Sequence, residues 1–119
     1  MIFLALSEKL FNKIKDILEA HKIKYKLIED GENLLKLAKK EKPELIILEK
    51  DIPLLDGFAT TLLLKSDKDT QGIPIVAICK SNFKEEEIKA KDSGCDEIIN
   101  CPIDEEKFWE KIEKYLKKK

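Results

Sequence analysis

Residues 43–58 read Pro43-Glu44-Leu45-Ile46-Ile47-Leu48-Glu49-Lys50-Asp51-Ile52-Pro53-Leu54-Leu55-Asp56-Gly57-Phe58. Leu45 to Leu48 is an unbroken apolar run with Pro43 before it and Pro53 after it. It is too short for a helix, and it is apolar at both alternating positions. That is the pattern of a parallel strand covered on both faces. Pro43 ends whatever helix precedes the strand. Pro53 and Asp56-Gly57 mark a loop after it. Phe58, Leu62 and Leu63 then begin a helix that Gly72 and Pro74 close.

The same alternation extends in both directions. Met1 to Leu6 reads as a buried strand, and Ser7 can cap the helix that follows, with Glu8 in its first turn. Leu10, Ile14, Ile17, Leu18 and His21 recur at helical spacing. His21, in the last turn, reads as a C-terminal cation or cap rather than as a ligand or base. Tyr25 to Glu29 is a second strand, and Leu34, Leu35, Leu37 and Ala38 make the next helical face. Beyond the quoted stretch, Ile75 to Ile78 is a fourth strand. Asn82, with Glu85 three residues on, has capping-box spacing, and Gly94 closes that helix. Ile98-Ile99 is a short fifth strand. Pro102 and Asp104 open a last helix with the face Phe108, Ile112, Tyr115 and Leu116, and Lys117 to Lys119 form a solvated tail.

This is (βα)5, and it predicts one α/β domain over residues 1–119: an open five-stranded parallel sheet with helices on both faces. A 13.8 kDa chain of 119 residues folds to roughly 6,600 Å² of surface, which leaves room for a full core. Ligand chemistry in such sheets sits at the carboxyl ends of the strands. The residues there are Leu6-Ser7, Glu49 to Asp51, Cys79-Lys80 and Asn100-Cys101.

Composition removes several function classes. The charge is balanced, 23 basic against 24 acidic residues, and every basic residue is lysine. A nucleic-acid surface is basic and uses arginine to read bases, so that role is disfavoured. No apolar run is long enough to span a membrane. The three cysteines form no CxxC, and His21 is the only histidine, so a zinc site is not expected. With no secretion signal at the N-terminus, the expected setting is a reducing cytoplasm. No Ser/His/Asp set or glycine-rich phosphate loop suggests an independent catalytic activity, so the chain is not expected to be an enzyme.

Residues 43–58 resemble the third strand and following loop of response-regulator receiver domains. Gly72 to Ile78 resembles their fourth strand, and Gly94 to Asp104 their fifth. The resemblance covers essentially the whole chain. It implies the flavodoxin-like receiver fold and a signalling module of a two-component system. Receivers accept a phosphoryl group on an aspartate at the end of the third strand, a position that falls here on Glu49. The extra methylene moves the carboxylate, and in-line phosphoryl transfer is intolerant of errors near about 1 Å. The family's magnesium-binding acidic pair falls on Leu6 and Ser7, or on Ser7 and Glu8 with a one-residue slip. Glu49 and Asp51 alone should hold magnesium weakly or not at all. The family's hydroxyl falls on Cys79, its lysine on Cys101 and its switch aromatic on Ile98. The Cys101-Pro102 bond is where the family's cis peptide would lie.

The expectation is therefore a pseudo-receiver, with no cofactor, that keeps the fold and acts through a protein partner without phosphorylation. The family's interaction face, formed by the fourth helix, fifth strand and fifth helix, would include Ile88, Lys91, Ile98 and Trp109. Trp109 follows Phe108, and two adjacent residues cannot both point at one core. It is therefore either a flank of the core or an interface anchor. Two alternatives stand beside this reading. One is a working phosphoacceptor using Glu49 or Asp51. The other is a thiol redox switch through Cys79 and Cys101, at the ends of adjacent strands.

Overall fold

The structure is a computed structural model and describes residues 1–80 and 84–116. Within them the chain runs β1 (Ile2–Ala5), α1 (Glu8–Ala20), β2 (Tyr25–Leu27), α2 (Gly31–Glu41), β3 (Leu45–Glu49), α3 (Gly57–Ser66), β4 (Ile75–Cys79), α4 (Lys84–Ser93), β5 (Glu97–Asn100) and α5 (Glu105–Leu116). The strands form one sheet in the order β2-β1-β3-β4-β5, and every pairing is parallel. The strand order reverses at β1, so the helices divide between the two faces. Helices α2, α3 and α4 cover one face, and α1 and α5 cover the other.

The central strands are apolar throughout because both of their faces are covered. Phe3, Ile46, Leu48, Ile75 and Ala77 pack under α2 to α4. Ile2, Leu4, Leu45, Ile47 and Val76 pack under α1 and α5. Burying each Phe, Ile, Leu or Val among them contributes about 1.5–3 kcal/mol, so β1, β3 and β4 anchor the domain. The solvent-accessible surface is 7007 Å², close to the area expected from mass.

Helix ends follow local chemistry. Asp30 accepts the Asn33 N–H at the start of α2, and Asp56 accepts the Ala59 N–H at the start of α3. Gly94, at φ +107°, ends α4 in a conformation that suits glycine. Lys42 takes the left-handed position after α2, so the helix stops before Pro43. Asn82, proposed above as a cap, and Lys117 to Lys119 lie outside the described residues.

One local expectation, the Ser7 cap, needs correction, and the burial of α3 is a finding beside it. Ser7 occupies the N-cap position of α1, but its side chain makes no capping hydrogen bond. In α3, Leu62 and Leu63 are exposed (54% and 47%), while Phe58, Thr60, Thr61 and Leu64 are buried. The helix starts at Gly57, and its register turns the threonines inward. Burial of their hydroxyls is tolerated because each bonds a carbonyl one turn back: Thr60 to Asp56 and Thr61 to Gly57.

Candidate functional site

The sheet register brings the strand ends together. Ala5 pairs with Leu48, so Leu6 and Glu49 leave the sheet side by side. Glu49 pairs with Ile78, and Cys79 with Asn100. Cys101 donates its N–H to the Cys79 carbonyl at 2.8 Å. A cavity of about 800 Å³ opens at this edge, lined by Ser7, Glu49, Asp51, Cys79, Lys80 and Cys101 among others. Seven of the strand-end positions singled out by sequence, Lys50 included, thus meet at one place. Leu6 and Glu8 do not line it. Leu6 turns into the core under α1 and α5, and Glu8 is exposed in the first turn of α1.

Glu49 is half-buried, and its Oε1 accepts the Ser7 N–H at 2.5 Å. The first N–H groups of a helix have no partner within it. The Ser7 side chain leaves them uncapped, and Glu49 takes up the Ser7 donor from across the sheet. The longer side chain reaches the helix N-terminus, where a negative charge is favourable. Glu49 therefore ties β3 to α1.

The other carboxylates at the site are also engaged. Asp51, 64% exposed at its side chain, has Lys50 Nζ at 3.9 Å and Lys80 Nζ at 3.8 Å. Glu86, from the first turn of α4, accepts the Lys80 N–H at 2.8 Å. A magnesium ion needs a compact shell of oxygens, with carboxylates as anchors. With Leu6 in the core, Ser7 donating to Glu49 and Asp51 facing lysines, the residues present do not make that shell. Among the described residues, no three His, Cys, Asp or Glu side chains converge on a point.

The thiols are not arranged as a pair. Cys79 belongs to the core under α2 to α4, whereas Cys101 packs against the core under α1 and α5. Cys101 lies one residue past β5, and the two side chains pack on opposite faces of the sheet, which opposes a bridge. Burial pushes the Cys79 thiol up to about 12, with Glu86 adding to the effect. Burial also raises Cys101, and Glu49 raises it further. Neither is an activated thiolate. The Cys101-Pro102 peptide bond is cis.

The proposed interaction face does not form as one patch. Ile88 (59% exposed) and Lys91 are exposed on α4, and Ile98 is half-buried on β5. Trp109 lies elsewhere. It packs against the α1 and α5 core and stacks on His21 at the end of α1, with ring centroids 3.7 Å apart. The reason is helical phase. Lys111 Nζ reaches the Ile98 carbonyl at 2.9 Å, so Lys111 faces β5. Two residues earlier, at about 100° per residue, Trp109 points away from β5 toward α1. Sequence reading missed Lys9, Lys13 and Glu86, which all line the cavity. The signal for the first two was present: they are four residues apart on the helix that starts at the site edge.

The response regulator receiver domain family matches residues 7–113. The chain is 32% identical over 111 residues to the polar-differentiation response regulator DivK of Brucella anthropi, spanning 93% of this chain and 88% of that one. Among solved structures, it is similar to the receiver domain of sensor histidine kinase PA1611 from Pseudomonas aeruginosa, which has a magnesium ion coordinated in its active site cleft. The TM-score is 0.86 at 16% identity, covering 97% of this chain and 95% of that one. It is also similar to the receiver domain of the Saccharomyces cerevisiae response regulator Ssk1, crystallised with the histidine phosphotransfer protein Ypd1. There the TM-score is 0.81 at 24% identity, with 97% and 88% covered.

Proposed function

The chain belongs to the response-regulator receiver domain family, and on that premise we propose that it signals by protein–protein association without accepting a phosphoryl group. Receiver domains are signalling modules of two-component systems. The observation that carries the finer reading is the Glu49–Ser7 contact. At the position where receivers hold an acceptor aspartate, this chain has a glutamate bound to the N-terminus of α1. The surrounding substitutions support the same reading. Leu6 cannot ligate a cation, and neither Cys79 nor Cys101 supplies the hydroxyl or the charge that steadies a phosphoryl group. Magnesium is accordingly proposed to bind weakly or not at all. Asp51 is a poor substitute acceptor because its carboxylate is turned to Lys50 and Lys80.

The proposed partner is a protein, and the proposed contact surface centres on α4 and β5, where Ile88 is the large exposed apolar side chain. The Ssk1 receiver was crystallised with a histidine phosphotransfer protein, and that precedent supports a protein partner for the present fold. A cytoplasmic setting is proposed with this role. Among the described residues, no helix is long and apolar enough to cross a membrane.

The test is an amide NMR titration with Mg²⁺, then with Mg²⁺ plus beryllofluoride. The expected response is flat. Large shifts around Glu49, Asp51 and β5 would mean that the site still switches, and would overturn the reading.

A further inference from the structure

The cavity at the strand ends is more than a disabled phosphoryl site. Its floor is apolar, built by Leu10 of α1, Ile78 and Cys79 of β4, and Cys101 and Ile103 after β5. Its carboxylates all have partners: Glu49 with the Ser7 N–H, Glu86 with the Lys80 N–H, and Asp51 with two lysines. Two of its cations do not. Lys9 and Lys13 stand one turn apart on the α1 wall of the cavity. Among the described residues neither has a hydrogen bond or an ion pair.

The cavity, about 800 Å³, falls in the usual range for small-molecule sites, about 300–1,000 Å³. It also lies at the carboxyl edge of a parallel sheet, where such sites form. An apolar floor beside two uncompensated cations suits a molecule with an apolar body and an anionic head. The head belongs on the α1 wall, where the two unpartnered cations, Lys9 and Lys13, stand.

We propose that this cavity binds a small organic anion, with its head group held by Lys9 and Lys13 and its apolar body against Leu10, Ile78, Cys79, Cys101 and Ile103. The proposal rests on the reading that the site no longer takes a phosphoryl group.

Three probes separate its elements in an amide NMR and fluorescence titration of the full chain. Anilinonaphthalene sulfonate has both head and body. Phenylnaphthylamine has the body alone, and inorganic phosphate has the head alone. The sulfonate should bind saturably, one to one, and move the amides of Leu10, Ile78, Cys79 and Cys101. Each of the other probes should bind about tenfold more weakly or worse. The double variant Lys9→Ala/Lys13→Ala, with both changes at exposed positions, should lose about tenfold in sulfonate affinity at an unchanged Tm. Equal binding of phenylnaphthylamine, or undiminished binding by the double variant, would overturn recognition of the anion. Shifts confined to another part of the domain would overturn the site itself. A separate arm with Mg²⁺ and beryllofluoride isolates the premise: shifts there refute the loss of phosphoryl chemistry, whereas a flat response with no sulfonate binding refutes the ligand site alone.

Discussion

Replacing Glu49 with alanine distinguishes a carboxylate kept for phosphoryl chemistry from one kept for structure. Glu49 Oε1 accepts the Ser7 N–H, and the Ser7 side chain makes no cap of its own. A hydrogen bond to a charged group contributes about 1.5–3 kcal/mol, and a carboxylate at a helix N-terminus adds about 0.3–1 kcal/mol. Glu49 is half-buried, so solvent screens part of both contributions. Glu49→Ala should therefore destabilise the domain by about 1–2 kcal/mol, the range of a lost helix cap. At this chain length that corresponds to roughly 3–8 °C in Tm. Glu49→Gln should lose about half as much, because a neutral amide oxygen still accepts the bond. Glu49→Asp restores the family's residue type but shortens the arm by one methylene, and it should behave like alanine. Urea unfolding at neutral pH, followed by circular dichroism, measures all three as midpoint shifts at constant slope. An alanine variant as stable as the parent, or more stable, would refute the argument. That result is what a carboxylate crowded by like charges around an absent cation would give.

Three further substitutions or probes test other parts of the site. Gly57 sits where an added Cβ would lie 2.1 Å from the Glu49 carbonyl oxygen. Gly57→Ala should lose about 3 kcal/mol by forcing α3 away from β3, and a loss under about 1 kcal/mol in urea unfolding would contradict the close approach. Leu54, in the loop after β3, is 73% exposed at φ +69°, a conformation that is costly for a branched side chain. Leu54→Gly should gain about 0.5–1 kcal/mol in a thermal melt, and a loss would mean that Leu54 makes a stabilising contact. Cys79 is buried, with its thiol pushed up to about 12. Iodoacetamide at pH near 8 should leave it unmodified in the folded domain and modify it in urea, as read by mass spectrometry. Rapid modification in the native state would revive the redox alternative.

Apolar run lengths, glycines and prolines made the alternation of strands and helices legible, because covered strands must be apolar on both faces and breakers must fall between elements. The same reading located the strand-end residues, since parallel topology puts all five carboxyl ends on one edge. It also placed Leu6, which cannot ligate a cation in any fold, just after β1. Helical phase was less legible. Leu62 and Leu63 mark α3 in the sequence but not which side of it is buried: the start of α3 at Gly57 turns Thr60 and Thr61 inward and leaves both leucines exposed. Trp109 was grouped with Ile88 and Lys91, but its direction depends on how α5 rotates against α1, which the identity of neighbouring residues does not set. Pairings across the sheet were not legible at all. Glu49 and Ser7 are 42 residues apart, and only the register of β1 against β3 makes them partners. Cys79 ends β4, but Cys101 falls one residue past the end of β5, and the two side chains pack on opposite faces of the sheet. The sequence by itself therefore determined which residues reach the site edge. Tertiary structure decided what those residues do there, because reach, facing and pairing depend on register and helix rotation, which long-range packing sets.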